Sequence, residues 1–312
     1  MEKRRPLIYV LVAYGLAWAY WLLVSFPLFR EQGGYTAAVQ LSVAPGMLFP
    51  AIAVVLTRLF TREGFKGLWI VPRDPGRTWH LYVVAWVVPL ALVIAGAALY
   101  FLLNRADYDP SMTNVLETAR QTAEAAGRDP SAVTTSTNLL AMLPVVLFVA
   151  PIANFIPCFG EEWGWRGYLL PKLVECLPTL PALVASGVIW GLWHAPIIAM
   201  GHNYGVGYAG FPVTGILAMC LFCVILGTFM AYVTLRSGSC IPAVIAHGMI
   251  NGCAAMGVAY SATGGNPFVG PAPTGILGGA YFVLVALFMA FDLARNGWPT
   301  FGARAGGDDQ AA

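Results

Sequence analysis

The sequence predicts an all-α fold: a polytopic transmembrane helical bundle of about eight spans. Three observations carry this. Of the 312 residues, 58% are hydrophobic and only 10% charged, where a soluble domain carries roughly a quarter charged residues. The mean hydropathy is +0.70. Apolar runs of about the ~20 residues that a spanning helix needs fall at 6–29, 41–60, 79–103, 138–177, 181–200, 211–235, 241–260 and 274–294. No Ser-rich linker and no clear repeat divides the chain, so 1–312 reads as a single transmembrane domain.

The first run follows Lys3, Arg4 and Arg5. It is too long for a signal-peptide core and is expected to stay as a first span. The loop 104–137 is the only long one, with a short helix expected around Val115 to Ala126 and a role as an outer cap. The fourth run is some forty residues long, or about 60 Å if wholly helical. Pro144, Pro151, Pro157 and Gly160 interrupt its first half. It reads as one bent or broken helix whose crossing part includes Glu161 to Leu177.

Eight spans put both termini on one side. Lys3, Arg4, Arg5, Arg58, Arg62, Lys66, Arg73, Arg77, Arg236, Arg295 and Arg304 fall at the N-terminal side; Arg30, Arg105, Arg120 and Arg128 fall opposite. Lys and Arg concentrate in cytoplasmic loops. A multi-pass cell-membrane protein with both termini cytoplasmic is therefore expected. The net charge of +2 says little about nucleic acid, and with no basic nucleic-acid motif in the chain no nucleic-acid partner is expected. Six cysteines are spread along the chain, and Cys220-x-x-Cys223 lies mid-span without a second such pair. Buried thiols are the favoured reading over a zinc or redox site.

Against this apolar background, G-E-E-W-G-W-R-G from Gly160 to Gly167 stands out. A charged side chain in hydrocarbon costs from about 3 to more than about 10 kcal/mol, so such groups pair, face a polar cavity or do chemistry. Glu162 and Arg166 are four apart and share a helix face, where they can pair. Glu161 points about 100° away, with no sequence-local cation. The ordinary alternative is an ion pair at a helix end. His194 sits in W-G-L-W-H-A-P, and His247 and Asn251 share one helix face in H-G-M-I-N.

Depth brings these groups together. From the turn at Pro178 to Pro181, Glu161 lies about 25 Å up one helix and His194 about 20 Å up the next. From the turn at Arg236 to Ser239, His247 lies about 12 Å in and Asn251 about 18 Å in. Water attack on a peptide needs a base and donors for the developing oxyanion. A desolvated Glu161 is a candidate base, and His194 a candidate for positioning the water. His247 and Asn251 are donors of the oxyanion-hole type, and Arg166 can fix Glu162. Gly160, Gly164 and Gly167 would let helices approach closely.

Glu161-Glu162-x-x-x-Arg166, an aromatic residue four before His194, and His247-x-x-x-Asn251 resemble the three ordered motifs of the CPBP family. These are the CAAX proteases and bacteriocin-processing enzymes, also called the Abi or type II CAAX prenyl endopeptidase family. The resemblance covers roughly residues 138 to 260, the expected catalytic core. The family usually has phenylalanine four before the histidine; Trp190 stands there instead, a packing change that bears on the substrate cavity.

The resemblance implies an eight-helix intramembrane endopeptidase with its cavity open to the cytosol. By analogy Glu161 and His194 activate water, His247 and Asn251 stabilise the oxyanion, and Glu162 with Arg166 support the site. The partners it implies are membrane lipid and a peptide or protein substrate, CAAX-like and lipidated or otherwise. No cofactor is expected. The zinc-dependent alternative would use His194, His247 and a carboxylate, although no H-E-x-x-H is present. The competing readings are a non-catalytic member of the same fold, such as an immunity factor or scaffold, and a proton-coupled transporter.

Overall fold

A computed structural model describes residues 4–125, 127–133 and 143–299. Its long helices are α1 (Arg5–Gln32), α2 (Ala37–Phe60) and α3 (Pro75–Leu103). A short α4 (Thr113–Ala125) follows in the loop, near the helix expected there. Then come α5 (Val145–Ala153), α6 (Phe155–Cys176), α7 (Thr179–Trp193), α8 (Val213–Ser237), α9 (Ile241–Ala259) and α10 (Ala280–Asn296). Among the described residues there is no strand, so the all-α polytopic reading holds. Lys3, Ala126, residues 138–142 and Arg304 lie outside the described residues.

Each of the eight apolar runs carries a helix, but not each is a full crossing. Five helices (α1, α2, α3, α8 and α9) are long and apolar enough, and the bent α5–α6 pair makes a sixth. Helix α7 has 15 residues and α10 has 17, or about 22 and 25 Å. Both fall short of the roughly 30 Å hydrocarbon core. The causes are local. Pro196 follows α7 and cannot continue its hydrogen bonding, and a Pro/Gly-rich stretch from Pro271 to Gly279 delays α10 to Ala280.

The expected break in the fourth run is a 60° bend between α5 and α6. It falls at Asn154, between Pro151 and Pro157, where two backbone donors are missing. The backbone N–H and the side-chain Nδ2 of Asn154 both donate to Ala150 O there, at 3.0 and 2.9 Å.

Prolines also explain three widened turns. Trp21–Ser25, Val145–Val149 and Trp165–Leu169 are π-helical. Each ends two residues before a proline: Pro27, Pro151 and Pro171. A proline inside a helix lacks the N–H for the carbonyl four residues back and crowds that carbonyl. Widening the preceding turn relieves the clash. At Pro151 the orphaned carbonyl is Leu147 O, and Trp86 Nε1 donates to it at 2.6 Å.

Small residues set the packing. A Cβ on Gly160 would meet Met47 O at 2.6 Å and Leu48 Cα at 2.9 Å. At Gly191 it would meet Cys220 Cα at 2.5 Å. These contacts bring α6 against α2 and α7 against α8, as close packing in lipid requires. Trp21, Trp165 and Trp193 fill the centre, with Trp193 ring centroids 4.6 Å from Trp21 and 5.7 Å from Trp165.

Loop contacts define two ends of the bundle. At one, Glu63 bonds Lys172 at 2.6 Å and Tyr168 at 2.7 Å, with Arg5 at 3.8 Å. Burial pushes the Glu63 carboxyl up, but the Lys172 and Tyr168 donors outweigh it and hold it below the usual range. Arg73 N donates to Ser237 O, Cys240 N to Trp69 O and Ser239 Oγ to Ile70 O, so residues 61–74 cover the α8–α9 turn. At the other end, Asp107 accepts from Tyr100 (2.9 Å), Ser261 (2.6 Å) and Thr263 Oγ1 (2.7 Å). Tyr35 OH meets His202 Nδ1 at 2.8 Å there, and Phe268 stacks on Tyr204 at 5.0 Å.

Candidate active site

The expected residues converge on one cavity of about 490 Å³, lined by Glu161, Trp190, His194, His247 and Asn251 among others. Depth gave their level; the packing of α6, α7 and α9 supplies their lateral proximity.

Helix α6 starts at the bend and delivers the carboxylates one turn and a half later. Glu162 and Arg166 form the expected pair, with Arg166 Nη1 donating to Glu162 Oε1 at 3.0 Å. Both are almost fully buried. His247 Nδ1 lies 2.9 Å from the same oxygen. A carboxylate held by arginine only accepts, so the His247 proton on Nδ1 donates to it. Sequence reasoning missed this bond, which joins α9 to α6. Neutral His247 then offers Nε2 as an acceptor, and only the imidazolium offers an Nε2–H.

Glu161 has a different neighbour. Trp190 Nε1 donates to its Oε2 at 2.8 Å. The Arg166 guanidinium carbon lies 4.1 Å from the centroid of the same indole, a cation–π contact out of water. The His194 and His247 rings sit 5.8 and 5.5 Å from it. Trp190 lines the cavity, and it also links both glutamates through one ring. Phenylalanine at this position would keep the stacking and lose the donor. The visible signal was the substitution itself.

His194 is placed by the end of α7. Its backbone N–H bonds Gly191 O at 3.1 Å in a tightened last turn, and Pro196 prevents continuation. Its Nδ1 is 2.8 Å from Trp190 O. A carbonyl only accepts, so the proton sits on Nδ1 and Nε2 carries a lone pair. Asn251 makes one weak contact, Nδ2 to Cys158 Sγ at 3.5 Å, and lines the cavity half-free.

The zinc set expected from the sequence is not the one that assembles. Among the described residues, the group able to hold a metal ion is Glu161, Glu162 and His247, with one ligand atom each within 4.8 Å of the others. His194 is not in it. The set fits a cation poorly, because Arg166 and His247 Nδ1 already occupy Glu162 Oε1. A metal there would stand beside a fixed guanidinium.

The cavity wall holds polar groups that sequence reasoning passed over: Gln40, Asn154, His202 and Asn203. His202 lies in a tight turn, with its N–H on Ile197 O at 3.0 Å. Its signal was a histidine in G-H-N-Y-G directly after an apolar run.

Comparison with known proteins bears on this arrangement. Residues 137–253 match the family model described as type II CAAX prenyl endopeptidase Rce1-like. This matched segment of the multi-pass chain agrees with the resemblance carried by the three motifs, and it contains Glu161, Glu162, Arg166, His194, His247 and Asn251. A CAAX prenyl protease 2 of Methanococcus maripaludis is 29% identical over 110 residues, covering 35% of this chain and 39% of that protein. The chain thus aligns with well under half the length of this curated relative.

Proposed function

We propose that the chain is an intramembrane endopeptidase of the cell membrane that hydrolyses peptide bonds with glutamate-activated water. The observation that carries this is the division of labour between two adjacent carboxylates. Glu162 is locked by Arg166 and His247, while Glu161 lines the cavity with His194 and Asn251. The Rce1-like match supports the same chemistry.

Trp190 holds Glu161 Oε2, leaving the other oxygen to take a proton from water. The His194 Nε2 lone pair orients that water. Its oxygen attacks the peptide carbonyl carbon, and Glu161 gains the proton. Asn251 Nδ2–H and the Nε2–H of protonated His247 receive the oxyanion. As the C–N bond breaks, Glu161 returns the proton to the leaving amine. An apolar pocket of about 260 Å³ is lined in part by Phe222, Pro273 and Thr274, which also line the site cavity. It suits a lipid chain or a large apolar side chain of the substrate.

The test is purified protein in lipid with a peptide library, read by mass spectrometry, beside Glu161→Gln. Cleavage by the parent alone is expected; equal cleavage by both would defeat the assignment. The second reading is a metal-dependent version of the same hydrolysis: Glu161, Glu162 and His247 lie close enough together to share an ion, although Arg166 competes with it for Glu162. Metal content, with activity before and after a strong chelator, separates the two. Stoichiometric zinc whose removal and return switch activity would decide for the metal.

A further inference from the structure

Three histidines line the cavity, and two of them, His194 and His247, have roles in the hydrolysis. The third, His202, lies on the loop after α7, eight positions beyond His194. Its ring is held in place. Tyr35 OH, from the loop between α1 and α2, meets its Nδ1 at 2.8 Å, and the two rings pack edge to face with centroids 5.6 Å apart. Both neighbours of His202 take positive φ, +103° at Gly201 and +61° at Asn203, a reversal that glycine and asparagine tolerate best. Gly201 packs against Tyr35, whose Cβ lies 3.4 Å from where a side chain at 201 would begin. The His202 carbonyl accepts from Tyr204 N at 2.8 Å, which closes the turn.

The bond to Tyr35 decides the tautomer. Tyr35 is half-buried, and among the described residues its hydroxyl has one hydrogen-bond partner, His202 Nδ1. A hydroxyl proton removed from water without an acceptor is costly. The O–H therefore donates to Nδ1, and the ring proton sits on Nε2. This is the reverse of His194, whose Nδ1–H faces a carbonyl and whose Nε2 carries a lone pair. Among the described residues His202 Nε2 has no partner. The cavity thus holds one imidazole prepared to accept from water and a second prepared to donate.

A peptide in the cavity meets that second imidazole away from the reacting atoms. Were the stretch from His194 to His202 wholly helical, it would span about 12 Å, or roughly three to four residues of extended peptide. An extended peptide offers a carbonyl oxygen at every residue. We propose that His202 anchors the substrate: its Nε2–H receives a backbone carbonyl of the bound peptide, within about four residues of the scissile bond. Tyr35 is then the positioning residue that holds the ring in its donating tautomer. The inference rests on the peptidase reading. A contact made equally before and during the reaction lowers KM and leaves kcat alone.

Steady-state kinetics on one cleaved peptide test this, with the melting temperature in detergent measured beside them. His202→Phe keeps a ring against Tyr35 and loses the donor. KM should rise about three- to tenfold, the net worth of one neutral hydrogen bond, with kcat within about twofold of the parent's and the melting temperature near it. His202→Gln supplies an N–H donor again and should recover part of the loss. Tyr35→Phe lets the ring proton sit on either nitrogen and should raise KM by less than His202→Phe does. An unchanged KM in His202→Phe overturns the proposal, and so does a fall in kcat at unchanged KM. A rise in KM that His202→Gln does not reduce also overturns it, since the imidazole would then only fill space. Should His202→Phe not fold, Tyr35→Phe keeps the test decisive: an unchanged KM there overturns the proposal. If the parent cleaves no peptide, or Glu161→Gln cleaves as well as the parent, the peptidase reading falls and the anchor with it. If cleavage depends on Glu161 while KM ignores His202 and Tyr35, the anchor alone falls.

Discussion

Glu161 and Glu162 are adjacent in sequence and equally removed from bulk water, yet they belong to two different walls. Glu162 belongs to a packed wall, where Arg166 and His247 share one of its oxygens at 3.0 and 2.9 Å. Glu161 belongs to the cavity wall, with one indole donor at 2.8 Å. A 100° step along a helix is enough to set one carboxylate in a packed wall and its neighbour in a cavity wall. The difference teaches that paired acidic residues in a membrane need not act as a pair. Substitutions on the two walls should fail in different ways, and that is where the comparison can be broken.

The largest effect is expected at Glu161. Glu161→Gln keeps an acceptor for Trp190 and removes the base. Turnover should fall by more than about 10³-fold, since the base is lost outright. The melting temperature in detergent should stay near the parent's. Activity close to the parent level would place Glu161 on the structural side. On the same wall, Asn251→Ala should cost about 10²–10³ in kcat, the usual loss for one oxyanion donor. His247→Ala should cost at least as much, and it also strips a donor from Glu162. Steady-state kinetics would check both, and a loss confined to KM would remove either from the oxyanion site.

On the packed wall the expected failure is thermal. Arg166→Ala would leave Glu162 buried with His247 as its one remaining partner, a loss of roughly 3–5 kcal/mol by analogy with buried pairs. Arg166→Lys should recover part of it at most, because a compact ammonium does not reproduce the planar stacking on Trp190. Thermal unfolding of the three proteins tests this, and an unshifted Arg166→Ala would dissolve the distinction between the walls.

Much of this was legible because charge is so scarce in the chain. With one residue in ten charged, Glu161, Glu162 and Arg166 could be singled out by their cost alone, and i,i+4 spacing gave the pair its face. Helix rise placed His194 and His247 at a common level. What spacing could not supply was azimuth. Which side of α9 meets Glu162, and which side of α7 turns Trp190 towards Glu161, depend on how the helices pack, and glycines such as Gly160 and Gly191 set that packing through contacts far away in sequence. The 60° bend could be expected from Pro151 and Pro157, but its direction could not. The direction in turn fixes the end at which the cavity opens.

The smallest effect sharpens the comparison most, because Trp190 touches both walls. Its indole N–H serves Glu161 and its face serves Arg166. Trp190→Phe separates the two functions: the ring remains under the guanidinium, and the donor is lost. A hydrogen bond to a charged group contributes about 1.5–3 kcal/mol, and the ring that stays in place confines the loss to that donor. The expected result is a fall in kcat of about tenfold, the low end of that range, with KM nearly unchanged and little change in melting temperature. Trp190→Ala removes both functions and should add a marked thermal loss, since burying a large ring and then deleting it typically costs 3–5 kcal/mol. If Trp190→Phe instead destabilises the protein as much as Trp190→Ala does, the indole N–H belongs to the structural wall, and Glu161 is held there with it.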